Sequence, residues 1–157
     1  MNAVKTDIDE LVARLDNSMG SVTRSGAIRR FYQQLAAAAG AQLERSSYLV
    51  LKQLVADGPT RITDLAVEHG VEPSTMSRHT KVLEDAGLIV KRPYAEDGRV
   101  ALAETTGKGR RLVARVEAER AVIFAAVLSS WDPDDSRRFV ELFERFNLGV
   151  TDQMDQK

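Results

Sequence analysis

The sequence contains no cysteine. That absence removes thiol nucleophiles, disulfides, iron–sulfur ligation and thiol-based redox sensing together. Histidine is scarce as well: His69 and His79 are the two in the chain, which makes a zinc centre an unfavourable reading. Long apolar runs are missing. The longest, AVIFAAVL at Ala121–Leu128, falls far short of the ~20 residues a bilayer-spanning helix needs. The start, MNAVKTDIDE, has no apolar core of the kind a signal peptide carries. No Gly-rich phosphate loop and no convincing Ser/His/Asp set is found. The expectation is a cytoplasmic, non-enzymatic protein with no cofactor, no metal, no catalytic residues and no membrane partner.

Hydrophobic residues make up 43% of the 157 and charged residues 29%, the composition of an ordinary globular domain. A net charge of −1 advertises no polyanion partner, but its distribution is uneven. From Met76 to Arg111 eight Lys/Arg stand against five acids, a local +3, whereas Leu112 onward holds six against nine, a local −3. Clustered charge, not the total, governs phosphate binding.

Apolar residues at helical spacing (Ile8, Leu11, Val12, Leu15, Met19, Val22, then Ile28, Phe31, Tyr32 and Leu35) predict a long N-terminal helix, broken near Gly20 or Ser25-Gly26 and stopped by Gly40. A helix over Ser46–Asp57 follows, then a short extended TRIT. Thr63 is the expected N-cap of a compact helix Asp64–His69. Gly70 closes that helix, and Pro73 opens the next, which runs to about Asp85 with Gly87 as its stop. LIVKRP and RVALAE read as the strands of a hairpin. Helices over about Thr106–Ser129 and Pro133–Leu148 complete the chain, with Asp132 as N-cap of the last, and TDQMDQK reads as a frayed tail.

The two short helices joined by Gly70-Val71-Glu72 form a helix-turn-helix candidate. Leu65, Ala66, Gly70, Val71 and Met76 stand where that motif needs apolar, small, turn-forming, apolar and apolar residues. At about 100° per residue, Met76 and Leu83 share one direction of the second helix, while Ser74, Ser77, Arg78 and Lys81 share the opposite one. Short hydroxyls near the helix start and cations farther along suit a helix laid in the DNA major groove. Arg78 is the candidate for a bidentate guanine contact, and Ser74, Thr75 and Ser77 for phosphate or base edges. His79 falls beside Met76 and Leu83, so it reads as a partly buried, hydrogen-bonded histidine.

The hairpin that follows reads as a wing, with Leu88 and Val90 anchoring its first strand. Arg99 is the natural probe of a narrow, negative minor groove, and Asp97, two residues earlier, orients its guanidinium. Arg92 joins the DNA-contact candidates. Lys108, Arg110 and Arg111 stand in the first turns of the next helix, where positive charge opposes the helix dipole. That misplaced charge suits a wing base beside phosphate.

The stretch ITDLAVEHGVEPSTMSRHTKVLEDAGLIVKRPYAEDGRVAL, followed by TTGKG, resembles the MarR family of winged helix-turn-helix regulators. Asp97-Gly98-Arg99 matches the family's wing Asp-x-Arg, and Thr106 and Gly109 match its Leu-Thr-x-x-Gly; Thr105 departs from the usual leucine. The recognition helix also resembles that of ArsR-like metal sensors, against which the missing cysteines and the Asp97/Arg99 wing argue. A winged helix used for protein contacts alone is the third reading.

The MarR resemblance implies a mainly α fold with a small β-wing. It places a winged helix-turn-helix lobe at 46–104 between dimerisation helices at 1–45 and 105–150, with a disordered tail at 151–157. It further implies a homodimer on pseudo-palindromic double-stranded DNA, and release by a small aromatic or anionic effector in the cleft between dimer helices and DNA lobe. Val113, Val116, Ile123, Phe124, Val127, Phe139, Leu142, Phe143 and Phe146 supply the apolar surface expected of such a dimer.

Overall fold

A computed structural model describes residues 2–24, 26–38, 43–94 and 101–156. Among these, α1 (Asn2–Arg24), α2 (Ala27–Ala38) and α3 (Arg45–Asp57) precede β1 (Thr60–Arg61), α4 (Ile62–Glu68) and α5 (Pro73–Asp85). Then come β2 (Ile89–Pro93), β3 (Ala101–Thr105), α6 (Gly107–Leu128) and α7 (Pro133–Asp155). The fold class is the expected one, mostly helical with a small antiparallel sheet. The chain divides into two compact units, Met1–Val116 and Glu117–Lys157, with the boundary inside α6.

In the first unit, α1 passes through Gly20 unbroken, and α2 starts after Gly26, whose φ of +64° admits the change of direction. Gly40 and Ser25 lie outside the described residues. The helix-turn-helix is cut out of the chain by two matching stops. Past α4, the Gly70 N–H donates to the Val67 carbonyl and the Val71 N–H to the Ala66 carbonyl, both at 3.0 Å. Past α5, the Gly87 N–H donates to the Glu84 carbonyl (2.8 Å) and the Leu88 N–H to the Leu83 carbonyl (2.9 Å). Both are Schellman motifs, which need a left-handed residue, and Gly70 (φ +61°) and Gly87 (φ +68°) supply it.

The sheet order is β1-β3-β2, all antiparallel, with Arg61 opposite Leu102 and Lys91 opposite Ala103. Pairing of β1 moves the start of α4. The helix begins at Ile62 with Arg61 in the N-cap position and no side-chain cap, so Thr63 is not the N-cap expected. The Thr63 hydroxyl instead donates to Asp64 Oδ1 at 3.3 Å. Half-buried Ile62, the first residue of the helix, packs against the core directly after Arg61 pairs in the sheet.

That core joins Leu51 and Leu54 of α3, Leu65 of α4, Met76 and Leu83 of α5 and Ile89 of β2, each at most 1% exposed. Val113 and Val116 of α6 belong to it as well, each 2% exposed. They are therefore not part of the apolar surface left for a partner, and that expectation is corrected. α6 reaches the core through Gly109: a Cβ there would run into the Leu88 carbonyl oxygen and sit 3.2 Å from Leu51 Cδ1. Thr106 sets up this approach. Its N–H donates to the Leu88 carbonyl (2.9 Å) and its hydroxyl to the Gly87 carbonyl (2.9 Å). The same hydroxyl oxygen accepts from the Gly109 N–H at 3.1 Å. The Thr-x-x-Gly spacing thus caps α6 and lets it lie against the strand start.

In the second unit, α7 begins as expected: the Asp132 carboxylate accepts from the Asp134 N–H at 2.8 Å, and Pro133 occupies the first turn. Its end differs from expectation. The helix continues to Asp155, taking in residues read as a frayed, disordered tail. Propagation costs little once a helix is nucleated, and Gly149 alone did not stop it. Among the described residues no helix is long and apolar enough to cross a membrane.

Candidate nucleic-acid interface

α5 presents the face its helical phase predicts. Met76, Thr80 and Leu83 are fully buried, while Ser74, Ser77, Arg78 and Lys81 are exposed and Thr75 is half-buried. Thr80 is a core residue the apolar count missed; its phase lies near that of Met76 and Leu83, and its hydroxyl donates to the Ser77 carbonyl at 3.0 Å. Glu72 stands in the N-cap position without a side-chain capping bond, Pro73 opens the helix, and the first turn itself holds no acid. Among the described residues, Arg78 has no ion pair or hydrogen bond. Lys81 pairs with Asp85 at 3.1 Å, both well exposed. His79 is half-buried, and its Nδ1 lies 3.2 Å from the Ser47 hydroxyl of α3.

The strands of the wing carry charge differently from the helix. Arg92 Nε is 2.9 Å from a Glu104 carboxylate oxygen, and Lys91 Nζ is 3.3 Å from Glu84 at the end of α5. Exposed pairs of this kind contribute about 0–1 kcal/mol, so exchanging Glu104 for a phosphate asks little of Arg92. Asp97 and Arg99, with Gly98 between them, lie outside the described residues. Just past the outer end of β2, the Tyr94 ring has Arg61 of β1 stacked over it at 4.3 Å. Nothing in the sequence links two residues this far apart; the β1–β3–β2 order brings their strands into one sheet. Thr105, where the motif has leucine, is buried, and its carbonyl accepts from Arg110 at 2.9 Å.

The basic cluster at the start of α6 has a structural use that its position alone did not reveal. Lys108 Nζ donates to the Ala86 carbonyl at 2.7 Å, the C-terminal end of α5. A cation unfavourable at one helix start is favourable at the other helix's end. Arg110 is engaged with Thr105, and Lys108, Arg110 and Arg111 all remain exposed.

The second unit exposes a continuous apolar surface between α6 and α7. Trp131 meets Phe139 edge-on with ring centroids 5.2 Å apart, and Phe139 stacks on Phe143 at 5.7 Å. These rings, with Ile123, Phe124 and Val127, line a groove of about 490 Å³. Trp131 is a member that the sequence reading did not single out.

The MarR family model matches residues 43–101, the stretch that holds α3, β1, the helix-turn-helix and the first wing strand. The chain is 36% identical over 110 residues to the HTH-type transcriptional regulator YxaD of Bacillus subtilis (strain 168), covering 70% of this chain and 77% of that one. It is 29% identical over 98 residues to the HTH-type transcriptional repressor Rv2887 of Mycobacterium tuberculosis (strain ATCC 25618 / H37Rv), covering 62% of this chain and 70% of that one. In fold it is similar to the crystal structure of MarR, with a TM-score of 0.76 at 17% identity over 91% of this chain and 95% of that one. A MarR family protein from Bacillus stearothermophilus gives 0.78 at 17% identity, over 91% and 97%.

Proposed function

The chain belongs to the MarR family and is a DNA-binding transcriptional regulator, and we propose that it represses as a homodimer on a pseudo-palindromic double-stranded operator. One observation carries the reading: α5 buries Met76, Thr80 and Leu83 completely and turns two serines and two cations, with no acid among them, to solvent. Arg78 reads a guanine, Ser74, Thr75 and Ser77 hold phosphate or base edges, and Lys81 and Arg92 clamp phosphates. Arg99 enters the adjacent minor groove, oriented by Asp97. Two copies associate through the apolar faces of α1, where Ile8, Leu11, Val12 and Leu15 are exposed, and of α6–α7, where Phe124, Phe139, Leu142 and Phe143 are exposed. Two-fold symmetry then places the recognition helices one helical turn of DNA apart, about 34–36 Å. A small aromatic or anionic effector releases the operator. The protein acts in the cytoplasm and has no enzymatic role in this reading.

The test is binding against salt. The logarithm of the affinity for duplex DNA should fall linearly with the logarithm of salt concentration through counterion release; an affinity insensitive to salt rejects the phosphate-clamped complex. Arg99→Ala should weaken operator binding about five-fold to ten-fold in fluorescence anisotropy, with the mass in light scattering still that of a dimer. An unchanged affinity removes the wing from the mechanism.

A further inference from the structure

The chain's two histidines each reach from one helix of the helix-turn-helix to a polar side chain of α3. His69, just past α4, has Nε2 2.7 Å from Gln53 Oε1. The Gln53 amide nitrogen donates to the Glu68 carboxylate, so its oxygen faces the ring and His69 Nε2 is the donor. His79, within α5, has Nδ1 3.2 Å from the hydroxyl of Ser47, which is 2% exposed. A hydroxyl so thoroughly buried needs a partner, and His79 provides one from the recognition helix.

We propose that His79, through its contact with Ser47, is a positioning residue that sets the roll of α5 for base reading, with His69 and Gln53 steadying α4 in the same way. The apolar anchors Met76 and Leu83 hold α5 by shape, and shape alone tolerates small rotations. Polar ties at the far end run to other elements, from Glu84 to Lys91 of β2 and from the Ala86 carbonyl to Lys108 of α6. The contact with Ser47 lies one residue from Arg78. A roll of about 10° displaces a side-chain tip ~8 Å from the helix axis by more than ~1 Å, enough to spoil a bidentate pair. Phosphate contacts tolerate that displacement; base-edge contacts do not.

The inference rests on the DNA-binding reading, and one experiment separates the two. A duplex enriched by the wild-type protein from a random pool is compared with a scrambled duplex of equal length, at several salt concentrations. Ser47→Ala, which removes one oxygen atom, and His79→Leu should each lower the ratio of the two affinities about three-fold to ten-fold, within the range of one lost buried hydrogen bond. The scrambled-duplex affinity and the salt slope should stay at wild-type values. His79→Asn, whose amide reaches the position of Nδ1, should restore most of the ratio. A Ser47→Ala protein that unfolds at lower temperature yet discriminates as well as wild type overturns the proposal, as does His79→Asn behaving like His79→Leu. If the wild type itself shows no salt-dependent binding to any duplex, the DNA-binding reading is what fails.

Discussion

Replacing Arg78 with alanine should erase most of the discrimination between operator and random DNA, by roughly 1–3 kcal/mol per half-site if the guanidinium pairs with a guanine. In a two-fold complex the loss is incurred twice. The helix beneath Arg78 should not move, because the substitution leaves untouched both its buried face (Met76, Thr80 and Leu83) and the His79–Ser47 contact. Among the described residues the Arg78 side chain has no ion pair or hydrogen bond to lose, so the change is expected to fall on the complex. Competition titrations against random duplex decide it. A fall in affinity that is equal for both duplexes, with a shallower salt slope, makes Arg78 a phosphate clamp instead. Lys81 offers the contrast, since its pair with Asp85 must loosen before it meets phosphate.

Gly109→Ala should destabilise the folded protein by about 2 kcal/mol or more, although alanine is the better helix former. The propensity gain is ~1 kcal/mol. Against it stands overpacking of about 1–3 kcal/mol, and more where the neighbour cannot yield. The neighbour here is the Leu88 carbonyl, backbone that accepts from the Thr106 N–H and leads directly into β2. It cannot swing aside as a side chain would, so the clash prevails. Relief would have to come from lifting α6 off Leu51 or shifting the strand that enters the wing. Chemical denaturation monitored by circular dichroism measures the loss, and a variant as stable as wild type shows that the helix is free to lift.

Much of the fold was legible locally. Apolar residues three and four apart placed α3 and α5, glycine stops and Pro73 bounded them, and the Asp132 cap marked the start of α7. Each depends on residues within about one helical turn, whose geometry the backbone enforces wherever the segment lies. The face of α5 followed for the same reason: given a helix, the angle between Met76 and Arg78 is fixed. The Thr106–Gly109 spacing was visible as a motif, but its cause was not, because the atom Gly109 makes room for belongs to Leu88.

The remainder depended on partners distant in sequence. Val113 and Val116 look no different from Val127, yet they lie in the core of the first unit because Gly109 brings α6 against Leu51. Lys108 looks misplaced until the end of α5 arrives beside it, and Arg92 looks free until Glu104 comes across from the neighbouring strand. By itself, then, the sequence determined which elements form and which face of α5 meets solvent, through periodicity and capping that act over a few residues. Tertiary structure decided which apolar residues remain exposed, which cations are engaged and what holds His79, because packing brings together residues that no local rule connects.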